Sequence, residues 1–132
     1  MDITVSQQQG RLPVTIFHLK GDIDGSNYDQ IQSQIEQAAN AGAKDVVLDL
    51  TGVPYMSSAG IRLLSSTFQR LRGNLPQESD EAMKHGIRDG TFKSPHLKLV
   101  NPTPRVLEVL KMSGLDMLFD VQPSVAAAVA SF

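Results

Sequence analysis

The stretch that decides the fold runs from Val46 to Leu64 and reads VVLDLTGVPYMSSAGIRLL. Its first five residues are nearly all apolar, which is typical of a strand buried on both faces, and a short loop then leads into an amphipathic helix. Ser57 and Ser58 stand at the mouth of that helix, where backbone N–H groups lack partners and the helix dipole is positive. One serine suffices as a helix cap. The second is then free to remain an open hydroxyl, and a phosphate on it would sit at a favourable place.

Apolar spacing along the rest of the chain predicts alternating strands and helices. Ile3–Gln8 and Val14–Lys20 form an expected antiparallel hairpin, because Gly10 and Pro13 mark a turn between them. A first helix is predicted to start at Ser26 and end at Gly42, and a second has an apolar stripe of Ile61, Leu64, Phe68 and Leu71. A strand at Leu97–Val100 follows, and a third helix begins after Thr103-Pro104 and stops at Ser113-Gly114. The last predicted elements are an edge strand at Met117–Val121 and a short helix at Ser124–Phe132. We therefore predict an α/β fold, a mixed sheet that begins with the hairpin and continues through largely parallel strands with helices packed on it.

Length and composition fit one domain, residues 1–132, with an ordinary hydrophobic core. The chain has 12 Lys and Arg against 14 Asp and Glu, and the scattered basic residues argue against a nucleic-acid binder. It has no cysteine, which rules out disulfide scaffolds, cysteine–zinc sites and thiol catalysis. No apolar run approaches the ~18 residues of a membrane span, and the N-terminus has no basic segment before an apolar core, so we expect a cytoplasmic protein.

The segment 73–95 departs from this pattern. It is rich in Gly, Pro and polar residues, and it exceeds the usual length of a connection. We expect a flexible surface insertion without a packed role. The competing interpretation is an arm that contacts a partner.

Residues capable of catalysis do not converge in the sequence. His18, His85 and His96 fall in separate parts of the chain, and no pair of them has the spacing of helical metal ligands. No phosphate-binding glycine loop occurs, and the strand-to-helix turn carries Ser-Ser-Ala-Gly where a nucleophile elbow would carry Gly-x-Ser-x-Gly. We expect neither an enzyme nor a bound metal or cofactor.

Asp22 and Asp24 form a pair of carboxylates on the polar loop that follows the second strand. Such residues commonly stabilise turns through local hydrogen bonds, and this interpretation needs no further chemistry. The loop is also expected at the carboxyl end of its strand, where open α/β sheets bind ligands and partners. Asp24 would then be placed to orient the turn that carries Ser57 and Ser58.

Three blocks of sequence occur in order along the chain: LKGDID at 19–24, LDLTGVPYMSSAGI at 48–61, and LKLVNPTPRVL at 97–107, which continues to Ser113-Gly114-Leu115. Together these blocks resemble the STAS family, the anti-sigma factor antagonists and their relatives. The resemblance spans nearly the full length apart from 73–95. It implies the STAS type of mixed sheet for this chain.

The resemblance also implies a regulatory cycle. In this cycle, a serine-kinase anti-sigma factor binds the unphosphorylated antagonist and releases its sigma factor. Phosphorylation of a serine in the strand-to-helix turn of the antagonist ends the interaction. A PP2C-type serine phosphatase then removes the phosphate. The matching acceptor is Ser58, two residues before Gly60, with Ser57 as a minor candidate. The partner surface implied by the resemblance comprises Asp22, Asp24, Met56, Ser57, Ser58, Ala59, Gly60 and Arg62.

Two other functions stay open at this point. A STAS subunit that is not phosphorylated would dock on the ATPase of a lipid or small-molecule ABC transporter. A small enzyme or nucleotide-binding protein would instead use Asp22, Asp24 and Ser58, without any of the motifs sought above.

Overall fold

The computed structural model of the protein describes residues 1–72 and 96–132, so the predicted insertion at 73–95 lies outside the described residues. The elements in these ranges are β1 (Asp2–Gln9), β2 (Pro13–Lys20), α1 (Tyr28–Asn40), β3 (Val46–Gly52), α2 (Ser58–Arg72), β4 (Leu97–Val100), α3 (Pro104–Ser113), a 3₁₀ turn (Leu115–Met117), β5 (Asp120–Gln122) and α4 (Val125–Ala130). None of the helices in these two ranges is both long enough and apolar enough to cross a membrane.

The five strands form one sheet in the order β1-β2-β3-β4-β5. β1 pairs antiparallel with β2, and each of the three following pairs is parallel. The predicted α/β architecture, a hairpin followed by parallel strands with helices between them, is therefore confirmed. Because β3 lies at the centre of the order, the loop from β3 to α2 leaves the middle of the sheet at its carboxyl edge.

The sheet is buried on both faces, but unequally. The larger apolar cluster lies between the sheet and helices α1 to α3, and it contains Ile31, Leu48 and Leu63. The smaller cluster packs α4 on the opposite face, where Val129 meets Val47. Val47 and Leu48 are adjacent, face opposite sides and are both fully buried, so the expectation of a strand covered on both faces is confirmed. Each such side chain contributes roughly 1.5–3 kcal/mol by its burial.

The start of α1 differs from the prediction. The sequence pattern predicts a helix start at Ser26, but the helix begins at Tyr28, and Asn27 occupies the N-cap position without a side-chain cap bond. Ser26 is already engaged, because its backbone N–H and its hydroxyl both donate to the Asp24 carboxylate. A local side-chain bond therefore keeps Ser26 in the loop and delays the helix.

The last edge strand is also shorter than predicted. The prediction of a strand over Met117–Val121 is wrong in its first half, since Leu115–Met117 forms a 3₁₀ turn and the strand comprises Asp120–Gln122. Phe119 is drawn into the larger core instead. Its ring meets Phe68 edge-on, with the two centroids 6.2 Å apart. Leu118 and Phe119 therefore pack in the larger apolar cluster and are not part of the strand.

A hydrogen-bond network fixes the end of β3. The Asp49 carboxylate lies 2.9 Å from His18 Nδ1, and His18 Nε2 lies 3.0 Å from the Ser6 hydroxyl, so the network crosses three strands. The Thr51 backbone N–H and hydroxyl both donate to the other Asp49 oxygen, at 3.1 and 2.7 Å. Burial raises the pKa of the Asp49 carboxyl, but the hydrogen bonds from Thr51 and His18 outweigh burial and hold that pKa below its ordinary value.

We expect the Asp49→Asn variant to be less stable than wild type at neutral pH, and we expect this difference in stability to disappear at acidic pH. A carboxyl whose folded pKa is depressed stabilises the fold above its unfolded pKa of about 3.9, and the contribution disappears as the pH falls through the folded pKa. Urea unfolding should therefore show a loss of about 1 kcal/mol at pH 7 that shrinks below about pH 4.

The matched variant Thr51→Val removes one donor to the same carboxylate, so it should weaken this pH dependence without abolishing it. A stability difference between wild type and Asp49→Asn that stays constant from pH 7 into acid would contradict the assignment.

Candidate functional site at the mouth of the second helix

Backbone hydrogen bonds join the loop after β2 to the loop after β3 at the carboxyl edge of the sheet. The Ile23 N–H donates to the Tyr55 carbonyl at 3.0 Å, and the Ser57 N–H donates to the Ile23 carbonyl at 2.9 Å. These bonds make an isolated parallel bridge between Ile23 and Met56, both of which are buried. The bridge continues the sheet beyond the ends of β2 and β3 and fixes the backbone that leads directly to Ser58.

The loop after β4 is attached by a side chain. The Thr103 hydroxyl donates to the Val53 carbonyl at 2.9 Å. It also accepts a hydrogen bond from the Val106 N–H at 3.4 Å as the N-cap of α3, which confirms the predicted cap and proline start. Thr103 therefore couples the start of α3 to the loop that leads into α2.

The two serines at the start of α2 have different surroundings. The Ser57 hydroxyl accepts a hydrogen bond from the Ala59 N–H at 3.1 Å, which is the interaction of an N-cap residue. Ser57 is half-buried, whereas Ser58 is exposed and is the first residue of the helix. Among the described residues, no hydrogen bond involves the Ser58 hydroxyl. One serine thus caps the helix and its neighbour presents a free hydroxyl to solvent.

Close packing beneath the helix start requires Gly60. A Cβ atom added there would lie 2.1 Å from Met56 Cγ and 3.3 Å from Ile23 Cγ2. Met56 is itself almost completely buried, so its side chain has no room to move aside. Glycine at this position lets the first turn of α2 rest directly on the bridge between Ile23 and Met56.

The side chains of Asp22 and Asp24 differ in their hydrogen bonding. The Asp24 carboxylate accepts hydrogen bonds from the Ser26 hydroxyl and N–H, and these bonds lower the pKa of Asp24. Asn27 links the same loop by donating to the Asp22 carbonyl at 2.7 Å, while the Asp22 side chain is exposed. The Asp24 carboxylate thus stabilises its own turn, and the turn before α2 is oriented by the backbone of Ile23.

Two arginines near Ser58 rest on tyrosine rings. Arg62 is exposed on α2, and its guanidinium carbon lies 5.8 Å from the centroid of the Tyr28 ring. Arg105 is exposed at the start of α3, 5.5 Å from the centroid of the Tyr55 ring. Such contacts favour one position of a long cationic side chain over many. The first turn of α2 contains no acidic residue that would offset these charges.

An apolar groove of about 290 Å³ adjoins Ser58 between α2 and α3. Its lining residues are Tyr55, Met56, Ser57, Ser58, Ile61, Val109, Met112 and Ser113. Met112 is 82% exposed and Tyr55 is 38% exposed, which is a large accessible apolar area for one small region. Ile61 is only half-buried here, because Leu63 and not Ile61 completes the buried stripe of α2.

The residues predicted for a partner surface divide by burial. Ser58, Arg62 and Asp22 are exposed. Met56, Ala59 and Gly60 are buried, so in the free chain they support the surface from below. The sequence prediction did not include Tyr55, Val109, Met112 or Arg105. Of these four residues, only Met112 could have been identified from the sequence pattern. It is an apolar residue of α3 outside the buried stripe of Val106 and Leu110, so exposure could be expected.

The site offers no metal-binding arrangement within residues 1–72 and 96–132, where no group of three or more His, Asp or Glu side chains is placed to hold a metal ion. His18 bonds Asp49, His96 lies 2.9 Å from an Asp45 oxygen, and His85 is outside the described ranges. What the site does offer is an accessible hydroxyl at a helix start, an adjoining apolar groove and nearby cations. These are the components of a docking surface that a covalent modification can alter.

The chain matches the family model of the STAS domain over residues 4–74. It is 30% identical to BtrV of Bordetella bronchiseptica, which is named as a candidate anti-sigma factor antagonist. That alignment extends over 132 residues and covers 100% of this chain and 95% of the relative.

Solved structures with this fold include a STAS domain protein of Planctomyces limnophilus that is named as an anti-sigma factor antagonist. It is 20% identical, with a TM-score of 0.70 and coverage of 99% of this chain and 97% of the other. SpoIIAA in its unphosphorylated form is 21% identical, with a TM-score of 0.67 over 97% of this chain and 95% of its own. Phosphorylated SpoIIAA from Bacillus is 19% identical, with a TM-score of 0.61 over 97% and 98%. These structures share the fold described above.

We expect Ser57→Ala and Ser58→Ala to have different effects on stability. Loss of the Ser57 cap leaves the Ala59 N–H unpaired and should lower the free energy of unfolding by roughly 1 kcal/mol. Ser58→Ala removes a hydroxyl without a partner and should change it by less than about 0.5 kcal/mol. Urea denaturation followed by circular dichroism measures both, and equal losses would contradict the division of roles between the two serines.

Proposed function

The chain belongs to the STAS domain family, and on this basis we propose that residues 1–132 act as an anti-sigma factor antagonist that is switched by phosphorylation of Ser58. In its unphosphorylated form the protein binds a serine-kinase anti-sigma factor and thereby frees a sigma factor for transcription. The observation that carries the proposal is the free, exposed hydroxyl of Ser58 beside a capped and tightly held helix start.

The switching step is a phosphoryl transfer from ATP held by the kinase. Ser58 Oγ attacks the γ-phosphorus, the new O–P bond forms, and the bond to the oxygen that bridges the β- and γ-phosphates breaks. ADP leaves, and the hydroxyl proton passes to a base of the kinase. A PP2C-type serine phosphatase resets the protein when water attacks the phosphorus, releasing inorganic phosphate and restoring the hydroxyl. We place the cycle in the cytoplasm, where ATP and the transcription machinery are found.

We assign the phosphate acceptor to Ser58 because the hydroxyls of Ser57 and Ser58 differ in hydrogen bonding and exposure. The Ser57 hydroxyl is half-buried and occupied by the Ala59 N–H, so transfer to Ser57 would disrupt the helix cap. Ser58 has no such bond to lose. Its position as the first helical residue also holds its backbone in one conformation for a kinase.

Phosphorylation is expected to act at the docking surface and not on the fold. The phosphate adds about −1.5 to −2 charges at pH 7. At a helix N-terminus this charge is favourable by about 0.3–1 kcal/mol. The modified protein therefore stays folded, and the interaction ends because a bulky dianion now stands beside the groove lined by Ile61 and Met112.

We expect one phosphoryl group to be added when the chain is incubated with Mg-ATP and a serine-kinase anti-sigma factor encoded in the same genome. Intact-mass analysis detects the addition, and peptide fragmentation places it on Ser58. Ser58→Ala should abolish it, whereas Ser57→Ala should remain a substrate. Phosphate on Ser57 would overturn the acceptor assignment. If the chain neither binds any serine-kinase anti-sigma factor of that genome nor accepts phosphate from one, the proposed function is wrong.

We expect Ser58→Asp to keep its fold and lose its partner. The added negative charge suits the helix start, so the melting temperature should stay within a few degrees of wild type. Affinity for the anti-sigma factor, measured by calorimetry, should fall at least tenfold, which corresponds to about 1.4 kcal/mol. The matched variant Ser58→Asn has a similar size without the charge and should bind more tightly than Ser58→Asp. Unfolding of Ser58→Asp would contradict a mechanism that acts only at the surface.

A further inference from the structure

Arg62 lies one helical turn after Ser58 on the same face of α2. Side chains at positions i and i+4 of a helix are neighbours, with Cβ atoms about 5–6 Å apart. Long helical side chains also lean towards the N-terminus, so Arg62 extends back over the turn that begins with Ser58. Arg62 is exposed, and its guanidinium rests on the ring of Tyr28. It is therefore an exposed cation one helical turn away from any group attached to Ser58.

The ring of Tyr28 keeps its place independently of Arg62. Its hydroxyl lies 3.3 Å from the Ser66 hydroxyl, one further turn along the same face of α2. Tyr28 is also packed against the larger apolar cluster. Arg62 can thus leave the ring without releasing Tyr28, and only an exposed cation–π contact is lost when it does.

A phosphate on Ser58 would attract a cation from this chain. The neighbouring loop carries the carboxylates of Asp22 and Asp24, and these raise the electrostatic cost of a dianion near the helix start. A guanidinium binds phosphate through paired, charge-assisted hydrogen bonds, which makes it a stronger partner for phosphate than for an aromatic face. Among the side chains that the structure describes, Arg62 is the cation one helical turn from Ser58 on the same face.

We propose that Arg62 is an internal phosphate clamp, which leaves the ring of Tyr28 and pairs with the phosphate when Ser58 is phosphorylated. The proposal rests on the proposed function, because it concerns the modified form of the same site. The clamp neutralises part of the phosphate charge within the chain. It also withdraws Arg62 from the surface that the anti-sigma factor meets, so one modification would both add an anion and remove a cation from the docking surface.

The test uses full-length protein with phosphoserine installed at position 58 during synthesis by codon suppression, so no kinase is needed. Phosphorus NMR follows the second ionisation of the phosphate with pH. If Arg62 pairs with the dianion, this ionisation in Arg62→Gln should lie at least about 0.3 pH unit above wild type. Arg62→Lys, which keeps the charge and loses the paired hydrogen bonds, should fall between the two.

The matched control is Arg105→Gln, which also removes one exposed arginine from a tyrosine ring but from a different helix. Its phosphate should titrate closer to that of wild type than the phosphate of Arg62→Gln does. A second readout is the aromatic NMR signals of Tyr28 and Tyr55, the two tyrosines in the chain. Phosphorylation should shift the Tyr28 signals in wild type more than in Arg62→Gln.

Equal titration of wild type and Arg62→Gln would overturn the clamp, and so would an equal shift in Arg105→Gln. Either result would leave the kinase assay on Ser58 untouched. Conversely, a chain that no kinase phosphorylates would disprove the proposed function while the titration of installed phosphoserine still reports on Arg62. Thermal unfolding of each unphosphorylated variant confirms that the compared proteins are folded.

Discussion

The backbone bridge between Ile23 and Met56 is the constraint on which the site depends. A typical hydrogen bond adds only about 0.5–1.5 kcal/mol, but a buried N–H left unpaired costs about 1–3 kcal/mol. Both bridge residues are buried, so the loops before α1 and α2 have little freedom to separate. Gly60 then allows the first turn of α2 to rest on the bridge. The orientation of Ser58 is in this way set by the sheet and not by the loop alone.

The adjacent serines divide two tasks that one residue cannot perform together. A helix cap must keep its oxygen on a backbone N–H, and a phosphate acceptor must present its oxygen to another protein. Ser57 takes the first task through the Ala59 N–H, which leaves Ser58 available for the second. The proposed modification of Ser58 involves no atom of the Ser57 cap, so we expect the start of α2 to keep its structure in both proposed states.

The sequence was sufficient for most of the fold and for the location of the site. The apolar run of β3 predicts its central, doubly covered place, and the Ser-Ser-Ala-Gly turn predicts the helix mouth. Where prediction failed, one side-chain contact was decisive in each case. Ser26 donates hydrogen bonds to the Asp24 carboxylate two residues earlier, and Phe119 packs edge-on against Phe68 from a distant part of the chain. The groove beside Ser58 could not be read from the sequence, because it forms only when α3 packs beside α2 and brings Met112 and Tyr55 to one place.

In the proposed mechanism, the position of Ser58 requires the partner to recognise the phosphate directly. The loop before Ser58 is joined to the core through the backbone hydrogen bonds of Ile23 and Ser57 and the packing of Met56. The proposed phosphate on the exposed Ser58 hydroxyl would involve none of these contacts. We therefore expect the main effect of the proposed phosphate to lie at the surface. There it changes the balance between the cations Arg62 and Arg105 and the carboxylate of Asp22. Rim charges of this kind govern which partners associate and how fast, so a local change of charge is enough to decide binding while the fold stays constant.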